Sequence, residues 1–199
     1  MTTKEREADD IGSVHLMENK IFAMFDEQNI RVYQAYNDTI ADESIKIGTF
    51  GNYFKIGRMT WIKPSFLWMM YRSGWAKKKG QNRILAIDMK RIGFDHIVKN
   101  AVLSSFSSTV YETYDQWKNA LEKSEVRCQW DPERDIYGNP QKHRTIQLGI
   151  KGSIIKCYVY DWIVKISDIT QEVRSIKKAI ELKNFTDNML PLEKEYTVN

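Results

Sequence analysis

Cysteine is scarce: Cys128 and Cys157 are the only two in 199 residues and form no CxxC pair, so a disulfide framework is excluded. His15, His96 and His143 stand far apart, no zinc-like ligand spacing occurs, and no metal is expected. No apolar run approaches the roughly 20 residues of a spanning helix. The longest covers residues 64–71 and is already broken by Ser65, so no membrane partner is expected. The opening MTTKEREADD is charged and polar, unlike a signal peptide, and a reduced cytoplasmic location is the default expectation. Familiar catalytic signatures are also missing: no GxGxxG follows a strand, and GxxxxGK[ST], GxSxG and HExxH do not occur.

What is present fits one globular domain, with 42% hydrophobic and 28% charged residues. The net charge of +4 hides a segregation. Residues 1–54 carry 5 Lys+Arg against 10 Asp+Glu, whereas residues 55–91 carry 10 Lys+Arg against Asp88 alone. Such a segment implies an anionic partner, a nucleotide or a nucleic acid. For Lys77, Lys78 and Lys79 a solvated basic face is the plainer reading.

The residue pattern predicts alternating strands and helices in a single α+β domain, with a mixed, mostly antiparallel sheet around a buried central helix. Residues 1–14 read as a flexible tail, 15–185 as the domain and 186–199 as a second tail. Residues 15–29 fit a short amphipathic helix, and IRVYQAY (30–36) reads as a strand. Asn37 or Asp38 caps a helix that Gly48 stops. RMTWIK (58–63) is a strand, and Pro64 then opens a helix. RILAID (83–88) is apolar enough for a central strand covered on both faces. Helices follow near 93–104 and 110–123. VRCQW (126–130) and HRTIQLGIK (143–151) are strands joined by a loop that carries Asp131, Glu133 and Asp135. Residues 162–169 form a further strand, and an amphipathic helix follows it, capped by Thr170 or Asp168.

The densest stretch is RMTWIKPSFLWMMYRSGW (58–75), where three tryptophans and three methionines share eighteen positions with Arg58, Lys63 and Arg72. At about 100° per residue, Ser65, Trp68, Arg72 and Trp75 gather on one side of a helix that is apolar nearly all round. An arginine in that setting needs a carboxylate, carbonyl groups or a ligand phosphate. An internal ion pair is one outcome, and an anion site walled by Trp68, Trp75 and Trp61 is the other. In the first strand Arg31 and Tyr33 share a face, while Ile30, Val32, Gln34 and Tyr36 share the opposite one. In the strand 143–151, Ile146, Leu148 and Ile150 form a core face, leaving Thr145, Gln147 and Gly149 on the other. Gly149 opposite an aromatic leaves room for a flat ligand. Gln147, and Glu133 or Asp131 in the preceding loop, are the polar candidates for chemistry.

In order along the chain, IRVYQAY, RMTWIKPSFLWMMYRSGWA, RILAID, QWDPE and RTIQLGIKG resemble the signatures of an uncharacterised family known only as a domain of unknown function (number four-two-nine-one). That resemblance carries no activity. An arginine on the first strand, a middle segment with aromatic and hydroxyl groups, and a polar residue on a late strand are also similar to the ADP-ribosyltransferase superfamily. This second resemblance implies NAD as cofactor and a fold of that type. Arg31 would hold the dinucleotide, Thr60 and Trp61 would flank the nicotinamide, and Glu133 or Gln147 would position the ribose. The usual late-strand glutamate is missing. Tyr33, Arg58, Lys63, Ser65, Trp68 and Arg72 complete the expected nucleotide-binding set. Three classes therefore stand side by side: a transferase moving ADP-ribose to a macromolecule, a nucleotide- or RNA-binding module without turnover, and a structural domain whose arginines are internally paired.

Overall fold

A computed structural model describes residues 19–199, so the expected tail at 1–14 lies outside the described residues. Nine strands and six α-helices are found among the described residues. Strand β2 (Asn29–Tyr36) runs antiparallel to β4 (Arg83–Lys90), and β4 to β8 (Ile163–Asp168), giving a three-stranded sheet in the order β2-β4-β8. A four-stranded sheet follows the order β3-β7-β6-β5, built from β3 (Thr60–Ile62), β5 (Val102–Leu103), β6 (Val126–Arg134) and β7 (Pro140–Ile150). Only its β5–β6 edge is parallel. One antiparallel bridge joins the two sheets, with the Tyr33 N–H donating to the Lys63 carbonyl at 2.7 Å. The architecture is a single α+β domain with mostly antiparallel pairing.

The core lies on both sides of β2-β4. Leu85 and Ile87 point into a cluster shared with Ile146, Leu148 and Ile150 of β7 and with Phe94 and Ile97 of α3 (Arg91–Lys99). Ile84 and Ala86 point the other way, against Tyr33, α2 (Phe66–Ser73) and α6 (Thr170–Glu181). Strand β4 is thus central and covered on both faces, because all four of these alternating positions are apolar.

Local chemistry sets the helix limits. Asn37 accepts the Ile40 N–H and caps α1 (Asp38–Ile47), which Gly48 ends in the left-handed region at φ 76°. Helix α2 is capped by Ser65, whose Oγ accepts the Trp68 N–H at 3.1 Å; Pro64 lies one residue before the cap. Gly74 closes α2 at φ 59°, and Trp75 and Ala76 continue in the same region at 55° and 63°. Two consecutive non-glycine residues there are strained, and burial of the Trp75 ring in the α2–α6 cluster holds them. Helices α4 (Tyr114–Lys123) and α5 (Gly152–Cys157, running into a π-helical turn at Tyr158–Trp162) complete the set.

Three expectations are corrected. Residues 21–23 are strand β1, not part of a helix, because Ile21 and Ala23 alternate inward and pair with β9 (Lys194–Tyr196). That pairing also makes the segment 186–199 a working part of the domain rather than a tail. Tyr196 is buried there and donates to Asp95 at 2.6 Å. Finally, β6 extends to Arg134, so Asp131 and Glu133 stand on a strand and not in a loop. Among the described residues, no helix is long and apolar enough to cross a membrane.

Candidate functional site

Beside the bridge that joins the sheets lies a cleft of about 480 Å³. Gln34 and Tyr36 of β2 form one wall, and Thr60 and Trp61 of β3 a second. Gln129 of β6 and Gln147 of β7 reach it from the far strands, and Arg58, Lys63 and Arg72 supply the charge.

Strand alternation places a polar group where an apolar one is the rule. Gln34 sits on the same face of β2 as Ile30 and Val32, and it is 2% exposed. Its Nε2 donates to Tyr36 Oη and Thr60 Oγ1, both at 2.9 Å, and its Oε1 accepts from Tyr158 Oη at 2.9 Å. Burial pushes the Tyr36 phenol up to about 12. A buried amide with its partners supplied is rigid, and this one fixes the edge of β3 against β2.

Across the cleft, Asp131 accepts Gln129 Nε2 at 2.8 Å and Gln147 Nε2 at 2.6 Å, one on each carboxylate oxygen. Gln129 and Gln147 are direct cross-strand partners, so the β6–β7 ladder itself sets their spacing. Trp61 pairs with Gly149, and a Cβ on Gly149 would meet the indole at 3.0 Å and Met59 Sδ at 2.8 Å. The room that glycine leaves is therefore filled by Trp61 and Met59 rather than kept for a flat ligand.

The cations differ in kind. Arg58 and Arg72 are exposed, and among the described residues neither forms a salt bridge. Lys63 is 6% exposed, with its ammonium 5.3 Å from the Trp68 ring centroid and 3.5 Å from the Trp61 carbonyl. Burial brings its pKa down to about 7, the Arg72 charge pushes the same way, and Asp131 opposes. Among the described residues the two arginines have no salt-bridge partner, which leaves the cleft with an excess of positive charge.

Of the residues expected at the site, Arg58, Thr60, Trp61, Lys63, Arg72 and Gln147 come together there. The others do not. Arg31 makes a two-pronged pair with Asp88, its partner across the β2–β4 ladder, at 2.8 and 3.0 Å. Its face of β2 is opposite that of Gln34, and the carboxylate satisfies its fork. Tyr33 is fully buried in the α2–α6 cluster, Ser65 is spent as the α2 cap, and Trp68 is buried beneath the Lys63 ammonium. Glu133 is buried away from the cleft and accepts the Arg134 N–H at 2.8 Å. The expected burial of Arg72 also fails, since α2 shows its Tyr71–Arg72 side to solvent.

Gln34, Tyr36 and Gln129 were not foreseen as site residues. The available signal was a lone amide on the apolar face of IRVYQAY, which needs partners wherever it is buried. Among the described residues, no cluster of three or more His, Cys, Asp or Glu side chains is placed to hold a metal ion. No curated protein matches the chain. Residues 20–196 match the model of the family described as "Domain of unknown function (DUF4291)", and the chain belongs to that family.

Proposed function

We propose that the cleft binds a nucleotide-type ligand through its phosphates. The observation that carries this reading is the pair Arg58 and Arg72, both lining one cleft and both without a carboxylate partner among the described residues. Guanidinium groups match phosphate oxygens two at a time. Trp61 supplies a ring for a base or a nicotinamide, and Gln147 and Gln129 supply amides for sugar hydroxyls. The volume lies within the roughly 300–1,000 Å³ of ordinary ligand sites. Equilibrium binding of AMP, ADP-ribose, NAD and a short single-stranded RNA at two salt concentrations tests it. One-site binding of the small nucleotides supports the reading, and failure of all four to bind overturns it.

A second reading, NAD-dependent transfer of ADP-ribose, is favoured by the Asp131–Gln147 contact. That contact ties a carboxylate on β6 to Gln147, which lines the cleft with Thr60 and Trp61. In such a transfer the bond from ribose C1′ to nicotinamide breaks first, and a nearby carboxylate favours the positive charge left on the sugar. Asp131, which holds the cleft residues Gln129 and Gln147, takes that role in place of Glu133, which contacts neither. Arg31, held by Asp88, takes none. Nicotinamide release from NAD with label transfer to protein or RNA, lost in Asp131→Ala, supports this reading. NAD bound without release leaves the protein a binding module.

A further inference from the structure

Lys63 is a lysine whose stem and ammonium are enclosed, whose amine lies over an indole, and which makes no salt bridge among the described residues. It borders the cleft that Arg58 and Arg72 also line. Near neutral pH much of its amine is unprotonated, since burial and the Arg72 charge both disfavour the cation. A lysine desolvated in an apolar setting and placed beside another cation is activated as a nucleophile, and Lys63 meets both conditions.

We propose that Lys63 is a nucleophile that forms an imine with the carbonyl carbon of a phosphorylated aldose seated in the cleft. The lone pair of Nζ adds to the carbonyl carbon, and the C=O π pair moves to oxygen, which takes up a proton. Loss of water from this carbinolamine breaks the C–O bond and leaves C=N. The two hydrogens of the amine depart on that water, so the condensation needs no further reactant. Arg58 and Arg72 hold the phosphate, and when the imine nitrogen takes up a proton from solvent the Asp131 carboxylate stabilises the resulting cation. The proposal rests on the phosphate-binding reading for the seating of the sugar, but not for the nucleophilicity of the amine.

The test is reductive trapping on the intact wild-type chain. Ribose 5-phosphate and cyanoborohydride are added at pH 7, with ribose as the unphosphorylated control, and the adducts are mapped by peptide mass. Lys63 is expected to label on the order of tenfold faster than Lys77, Lys78 and Lys79, which stand exposed outside the cleft. AMP, which carries phosphate but no free aldehyde, is expected to protect it. If AMP binds while Lys63 stays unlabelled, the imine is overturned and the nucleotide cleft stands. If ribose labels Lys63 as fast as its phosphate does and AMP neither binds nor protects, the nucleophile stands and the phosphate site falls. Labelling spread evenly over the surface lysines overturns the proposal.

Discussion

Gln147 donates its side-chain amide to the Asp131 carboxylate at 2.6 Å, from the strand opposite. With Gln129 on the other oxygen, Asp131 orients two of the polar groups that line the cleft. Replacing it by asparagine sets an NH₂ against one of two donating amides and leaves an N–H unpaired. Asp131→Asn is expected to lose about 1–2 kcal/mol of stability, read as a lower urea midpoint with an unchanged slope. Nucleotide affinity should fall with it, since Gln147 and Gln129 lose their fixed orientation. An unchanged midpoint together with unchanged affinity would contradict this role.

Arg31 and Asp88 form a second pair, whose role is structural. Each side chain is about a quarter exposed, and the two charges meet through two hydrogen bonds across the β2–β4 ladder. Arg31→Ala and Asp88→Ala are each expected to cost about 1–2 kcal/mol, with the double variant costing much less than the sum. Nucleotide binding should be unaffected in all three. A variant that keeps its melting temperature and loses binding would return Arg31 to the ligand site.

Two groups withdrawn from solvent, Glu193 in part and Lys63 almost wholly, tilt stability with pH in opposite senses. Burial raises the Glu193 carboxyl from 4.5 to about 8, and the Phe66 N–H that it accepts at 2.7 Å only partly offsets this. Its folded value lies above its unfolded one, so its contribution is complete below pH 4.5 and is lost as pH rises to about 8. Lys63 is depressed from 10.5 to about 7, so stability is lowest, on its account, below pH 7 and recovers towards pH 10.5. Each acts with a slope of at most about 1.4 kcal/mol per pH unit. Glu193→Gln keeps the acceptor and is expected to stabilise the protein at pH 8 but not at pH 4. Lys63→Met is expected to stabilise it at pH 6 but not at pH 10. Chemical denaturation across that range checks both signs.

Much of the fold was legible because periodicity and caps are local. The inward alternation of Ile146, Leu148 and Ile150, the Asn37 cap and the Gly48 stop are written in adjacent residues, and so is the apolar run that made β4 central. What escaped depended on partners far along the chain. Residues 21–23 carry a pattern short enough for helix or strand, and only β9, more than 170 positions later, decides it. Arg31 and Arg72 look alike in sequence, each a cation among apolar neighbours. Asp88 stands across the ladder from one, while no carboxylate pairs with the other among the described residues. Asp131 and Glu133 have turn-forming neighbours, yet pairing with β7 draws both into a strand. Gln34 was visible as an oddity on an apolar face, but Tyr158, Thr60 and Tyr36 were needed to show what it serves.

The central claim is that Arg58 and Arg72 hold phosphate. The direct measurement is calorimetric titration of ADP-ribose into the wild type and into the Arg58→Ala/Arg72→Ala variant at one fixed salt concentration. Both residues are exposed and make no salt bridge among the described residues, so the variant should melt within a few degrees of the wild type. Loss of two charge-assisted contacts, each about 1.5–3 kcal/mol, predicts an affinity lower by at least a hundredfold. Equal affinity in the two proteins, or no heat from the wild type at any concentration, would contradict it.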